Sequence, residues 1–198
     1  MARRPDLENF AKEHNLKIGT IEELISYKIK NEKTVERVAE SDFVTDFGSF
    51  RLHAYQNSLD GGLHFALVHG TISGDEPVLV RVHVENTLID VLGSTHARGW
   101  PLQSALKQVA WSDDSGVVVI IRQPDEENAI INWMLRHPTS DSEAVEQKPD
   151  LRKDGVGAQI LMDLGVHKMR LMSAPKVYHG LAGFGLEVVE YVSGDSEL

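Results

Sequence analysis

Cysteine is missing altogether from the 198 residues. That excludes disulfides, thiolate nucleophiles, iron–sulfur clusters and any cysteine-ligated zinc. Positive charge is scarce, with 20 Lys and Arg against 30 Asp and Glu, and the formal charge of −10 argues against a nucleic-acid surface or an anionic membrane as partner. No apolar run approaches the roughly 18 residues of a membrane span, and no secretory leader pattern opens the chain. A cytoplasmic protein is expected. What remains, 41% hydrophobic and 25% charged residues, suits one globular domain with a sizeable core plus an appendage.

The appendage comes first. Leu7, Phe10, Ala11 and His14 recur at helical spacing over residues 6–14, with Asn15 as a C-cap. Thr20 and Glu23 form a capping-box pattern that opens a second helix reaching about Asn31. A charged stretch from Lys28 to Glu40 follows, which places a boundary near residue 35. Beyond it, Val35–Ala39, Ser49–Tyr55, His64–Val68 and Val78–Val84 read as strands of an antiparallel meander, separated by turn signals such as Asp60-Gly61-Gly62.

The second half alternates types. Helices are predicted over 101–111, near 128–136 and near 155–164, and a short one after Pro175; strands are predicted over 116–122, 169–172 and 186–191, with a polar loop over 138–149. The unbroken run Val117-Val118-Val119-Ile120-Ile121 belongs in a sheet covered on both faces. The fold class is therefore α+β to α/β, a β-rich first half followed by β-α units.

Three groups of residues invite chemistry. Arg81, His83 and Glu85 share one face of a strand, which makes either a site or an ordinary solvated face. Asp150 and Arg152 flank a helix start, where an acid is also plain capping chemistry. Ser173-Ala174-Pro175-Lys176 joins a strand to a helix, a setting that suits an anion or nothing at all.

The stretches Gly74–His83, Asp150–Leu161 and Gly183–Glu190, in that order, resemble GTP cyclohydrolase II, a zinc enzyme of riboflavin synthesis. Residues 1–31, with Ala2-Arg3-Arg4-Pro5-Asp6-Leu7 and Leu16–Ile21, resemble the last part of 3,4-dihydroxy-2-butanone 4-phosphate synthase, which many bacteria fuse in front of the cyclohydrolase. The resemblance implies that residues 1–34 are the end of a synthase domain plus linker, 35–193 a cyclohydrolase-like domain, and 194–198 a tail. It implies a homodimer, and it places the family's catalytic aspartate and arginine at Asp150 and Arg152. Arg81, His83 and Glu85 match the nucleotide-binding strand, with Ser173 and Lys176 beside it.

The metal site does not match. Asn86 stands where the family has a cysteine, and the Cys-x-Cys loop is replaced by Thr95-His96-Ala97-Arg98-Gly99. His83, Asp90 and His96 are the one alternative donor set, and they lack a second carboxylate. No zinc is expected, and Mg²⁺ only in company with a nucleotide. The family's Glu-Gly-Arg-Gly turn is here Pro124-Asp125-Glu126-Glu127, which removes a phosphate clamp and adds acids that oppose a triphosphate at roughly 1 kcal/mol per charge pair in water. Val177 replaces a second lysine. The expectation is a degenerate domain that supports or regulates the attached synthase. The alternatives left open are residual GTP cyclohydrolase or pyrophosphohydrolase activity through Asp150 and Arg152, and a nucleotide sensor.

Overall fold

The computed structural model describes residues 4–19, 23, 27, 32–74, 76–94, 100–123, 126–136, 151–175 and 181–194. Helix α1 spans Arg4–Glu13 and buries only Ala11. Asn15 adopts a φ of 50°, the left-handed conformation of a helix C-cap. The second helix predicted over 20–31 and the loop 138–149 fall largely or wholly outside the described residues.

Seven strands form one mixed sheet: β1 (Val35–Thr45), β2 (Gly48–Asn57), β3 (Leu63–His69), β4 (Val78–Val84), β5 (Gly116–Ile121), β6 (Lys168–Leu171) and β7 (Glu187–Tyr191). Their order is β1-β2-β3-β5-β4-β6-β7. The first three make the expected antiparallel meander, but β4 does not continue it. Instead β5 inserts between β3 and β4, antiparallel to the former and parallel to the latter. The apolar run of β5 explains this, because a strand with no polar side chain gains most from neighbours on both edges and cover on both faces. β6 and β7 extend the parallel half.

Each face has its own core. Val78 and Val80 of β4, Val117, Val119 and Ile121 of β5, and Tyr55 of β2 pack against Val156, Ile160 and Leu161 of the helix Leu151–Asp163. On the other face Phe50, Leu67, Leu79 and Val118 meet Ala105 and Val109 of the helix Leu102–Ala110. This alternation along β4 leaves Arg81, His83 and Glu85 on the second face.

Among the described residues the remaining elements are a four-residue helix Thr87–Asp90 that sequence reading overlooked, a helix Glu126–Arg136, and a 3-10 turn Leu181–Phe184. In chain order the helices are α2 (Thr87–Asp90), α3 (Leu102–Ala110), α4 (Glu126–Arg136) and α5 (Leu151–Asp163). Among the described residues no helix is long and apolar enough to cross a membrane.

Candidate functional site

Helix α5 runs antiparallel to the strands it covers. A Cβ on Gly157 would sit 3.2 Å from Val82 Cγ1, and one on Gly74, ahead of β4, would lie 3.9 Å from the Gly165 carbonyl. The first turn of α5, which holds Arg152, therefore lies toward the carboxyl ends of β4, β5 and β6. Those ends are where open α/β sheets place ligands. Glu85, Arg122 and Ser173 leave the strands at the same edge. Asp150 and Lys176 lie outside the described residues, as do His96 and the turn residues Pro124 and Asp125.

The polar row of β4 is not the solvated face that alternation also allowed. Arg81 donates from Nη1 to the Met172 carbonyl at 2.8 Å and from Nη2 to the Trp100 carbonyl at 3.0 Å. Trp100 in turn donates from its indole to the Val192 carbonyl at 3.0 Å. One guanidinium thus ties β4 to the residue after β6 and to the segment entering α3.

His83 is buried, and its Nε2 donates to both carboxylate oxygens of Asp90, at 3.0 and 2.8 Å. Asp90 also accepts the Asn86 amide at 2.9 Å. Asn86 is the N-cap of α2: its side-chain oxygen accepts from the amides of Leu88 and Ile89 at 3.1 and 3.3 Å. Glu85 accepts from Arg122 Nε at 2.8 Å, and the Arg122 amide donates to His64 Nδ1 at 3.2 Å. Burial lowers the His64 pKa, in keeping with an Nδ1 that acts as acceptor. Ser173 turns its hydroxyl to the carbonyl of Ala174 at 2.8 Å.

These bonds test the fit of a tetrahedral zinc. The Asn86 oxygen is spent on a helix cap and His83 Nε2 and Asp90 on one another, and among the described residues no three His, Cys, Asp or Glu side chains converge as a metal site. Neutral amide oxygen is a poor zinc donor in any case. The described donors do not fit the ion.

Asp90, Trp100 and Arg122 complete the cluster, and sequence reading gave none of the three this part. The Asn86-Thr87-Leu88-Ile89-Asp90 stretch carried the one local signal: a capping asparagine followed in the next turn by an acid within reach of the cap's own amide.

A family model described as GTP cyclohydrolase II matches residues 36–193. A 3,4-dihydroxy-2-butanone 4-phosphate synthase of Photobacterium phosphoreum is 40% identical over 193 residues, a match covering 97% of this chain and 52% of that protein. The riboflavin biosynthesis protein RibBA of Aquifex aeolicus is 45% identical over 203 residues, covering 97% of this chain and 50% of that one. Among solved structures, RibBX from A. baumannii, a two-domain 3,4-dihydroxy-2-butanone 4-phosphate synthase, superposes with a TM-score of 0.67 at 40% identity, covering 98% of this chain and 51% of that one. The chain spans about half the length of the curated relatives it matches.

Proposed function

Since the chain belongs to the GTP cyclohydrolase II family of riboflavin biosynthesis, we propose that it is a member that has given up zinc-dependent ring opening of GTP and serves a 3,4-dihydroxy-2-butanone 4-phosphate synthase as a supporting or regulating domain in the cytoplasm. The observation that carries this reading is the state of the β4 row. Arg81, His83 and Asn86, positions that the family resemblance gives to nucleotide and metal, make hydrogen bonds to Met172, Trp100, Asp90 and the start of α2. They hold the sheet's carboxyl edge together.

Energetics favour the same reading. Zinc lowers the pKa of a bound water from about 15.7 to about 7, and without cysteine this chain has no thiolate set to hold that ion. Asp150 and Arg152 supply neither the Lewis acid nor the hydroxide. A fused synthase domain is the partner proposed on the strength of the relatives' names, and a dimer is proposed on the family resemblance alone.

The test has two arms. The purified chain is assayed for bound zinc and for formate and pyrophosphate release from GTP, and titrated with GTP with and without Mg²⁺. Neither product and no saturable heat are expected. Pyrophosphate release that Arg152→Ala abolishes would instead establish residual hydrolysis, and saturable heat without turnover a nucleotide sensor. In the second arm the domain is deleted from the fused protein; unchanged synthase kinetics, stability and oligomeric state would sink the supporting role.

A further inference from the structure

The segment ahead of β1 is bound by side chains of a helix more than 120 residues later. Residues 32–34 pair with no strand, so their backbone groups need other partners. Helix α5 provides them from one side chain. Gln159 Oε1 accepts from the amides of Thr34 and Val35 at 2.9 and 3.2 Å and from the Thr34 hydroxyl at 3.3 Å, while its Nε2 donates to the Glu32 carbonyl at 3.4 Å. Two backbone donors on one oxygen fix which way the amide points. On the far side of the segment the Thr34 carbonyl accepts from the Ser58 amide at 2.8 Å.

One turn further along α5, Asp163 closes a second clasp. Arg37 reaches its carboxylate from Nε and Nη2 at 3.0 and 2.8 Å and its carbonyl from Nη2 at 3.1 Å. Lys33 approaches the other carboxylate oxygen at 3.3 Å, and the hydroxyl of the fully buried Tyr55 donates at 3.0 Å. Thr34 and Val35 are themselves buried, at 7% and 2% exposure, which keeps water from competing for these bonds. Gln159 and Asp163 sit at i and i+4, on one stripe of the helix.

We propose that residues 32–37 form a strap clasped by Gln159 and Asp163, so that the chain ahead of β1 leaves the sheet in one fixed direction and not as a free tether. The clasp is on α5, the same helix whose first turn lies at the carboxyl edge, so residues 32–37 and that edge are joined by one helix. Gln159 and Asp163 are positioning residues for the strap. The inference goes beyond the function proposed above and does not depend on it.

Amide hydrogen exchange on the whole chain tests the strap. Thr34 and Val35 amides are expected to be protected, and Gln159→Ala to raise their exchange by about tenfold or more while Val118 and Val119 at the sheet centre stay unchanged. Gln159→Glu keeps the acceptor oxygen and is expected to keep the protection. Trypsin adds a second readout: cleavage after Lys33 is expected to be slow in the parent and about tenfold faster with Asp163→Ala. Unprotected Thr34 and Val35 amides in the parent chain, or protection that survives Gln159→Ala, would overturn the proposal. Loss of the strap leaves the supporting function standing, and a synthase indifferent to the domain leaves the strap standing.

Discussion

Arg81 shows how a side chain typical of anion sites becomes structural. Its two terminal nitrogens donate to the carbonyls of residues 172 and 100, so one side chain joins the segment after β6 and the segment entering α3 to β4. Removing a donor from buried carbonyls costs about 1–3 kcal/mol, so Arg81→Ala is expected to lower stability by that order in urea unfolding. A ligand role alone predicts no such loss. Asn86→Ala removes the α2 cap and is expected to cost about 0.5–2 kcal/mol by the same measurement. The buried histidines give stability a pH dependence. His53 is held below its usual pKa by burial and by the neighbouring Arg37, and His64 by burial. In each the folded state resists protonation more than the unfolded one, so stability is expected to fall as pH drops below about 6.5, the unfolded value. Burial alone would raise the Asp163 pKa, but hydrogen bonds from Arg37, Tyr55 and Lys33 outweigh it and hold it below its usual value. Its contribution is present above about pH 3.8 and lost as pH falls further, so Asp163→Asn is expected to flatten the lowest part of a stability-against-pH curve. Chemical denaturation at several pH values measures both limbs.

Among the elements, β5 was the most legible and β4 the least correctly placed. Five consecutive β-branched residues announce a central strand without reference to anything else in the chain. The neighbours of β4 depend on which strand the later chain inserts, and nothing within Val78–Val84 encodes that. Helix α2 was missed because four residues carry no periodicity; only its cap spoke for it. The strap was illegible for a similar reason, since Gln159 and Asp163 look like the polar stripe of any amphipathic helix until Thr34 and Arg37, more than 120 residues earlier, are set beside them. The row Arg81, His83, Glu85 was read correctly as sharing one face, while its partners were beyond reach of spacing arguments. Packing between elements yields its own prediction. A Cβ on Gly116 would lie 2.6 Å from Val109 Cγ1 and 3.3 Å from the Leu79 carbonyl, so α3 approaches β5 only because that position is bare. Gly116→Ala is expected to cost about 1–3 kcal/mol, read from the urea midpoint, since β-branched Val109 has few rotamers to retreat into.

For the molecule as a whole, net charge bears on the proposed loss of nucleotide binding. The chain carries a net −10, and the residues after β5 add acids where the resemblance expects glycine and arginine. No saturable GTP heat is expected at physiological ionic strength; lowering the salt should not reveal binding, because a net repulsion of like charges grows as screening is removed.

The strand order also bears on synthesis. Until Ile121 has left the ribosome, the outer edge of β3 and one edge of β4 lack the strand that joins them, β5, and the other edge of β4 waits longer still for β6. At about 5–20 residues per second, the stretch from Val84 to Ile121 takes roughly 2–7 seconds to make. Throughout that interval a nascent chain exposes Val78, Leu79 and Val80 as an unpaired apolar strand, the kind of segment that chaperones hold and that associates wrongly when they do not.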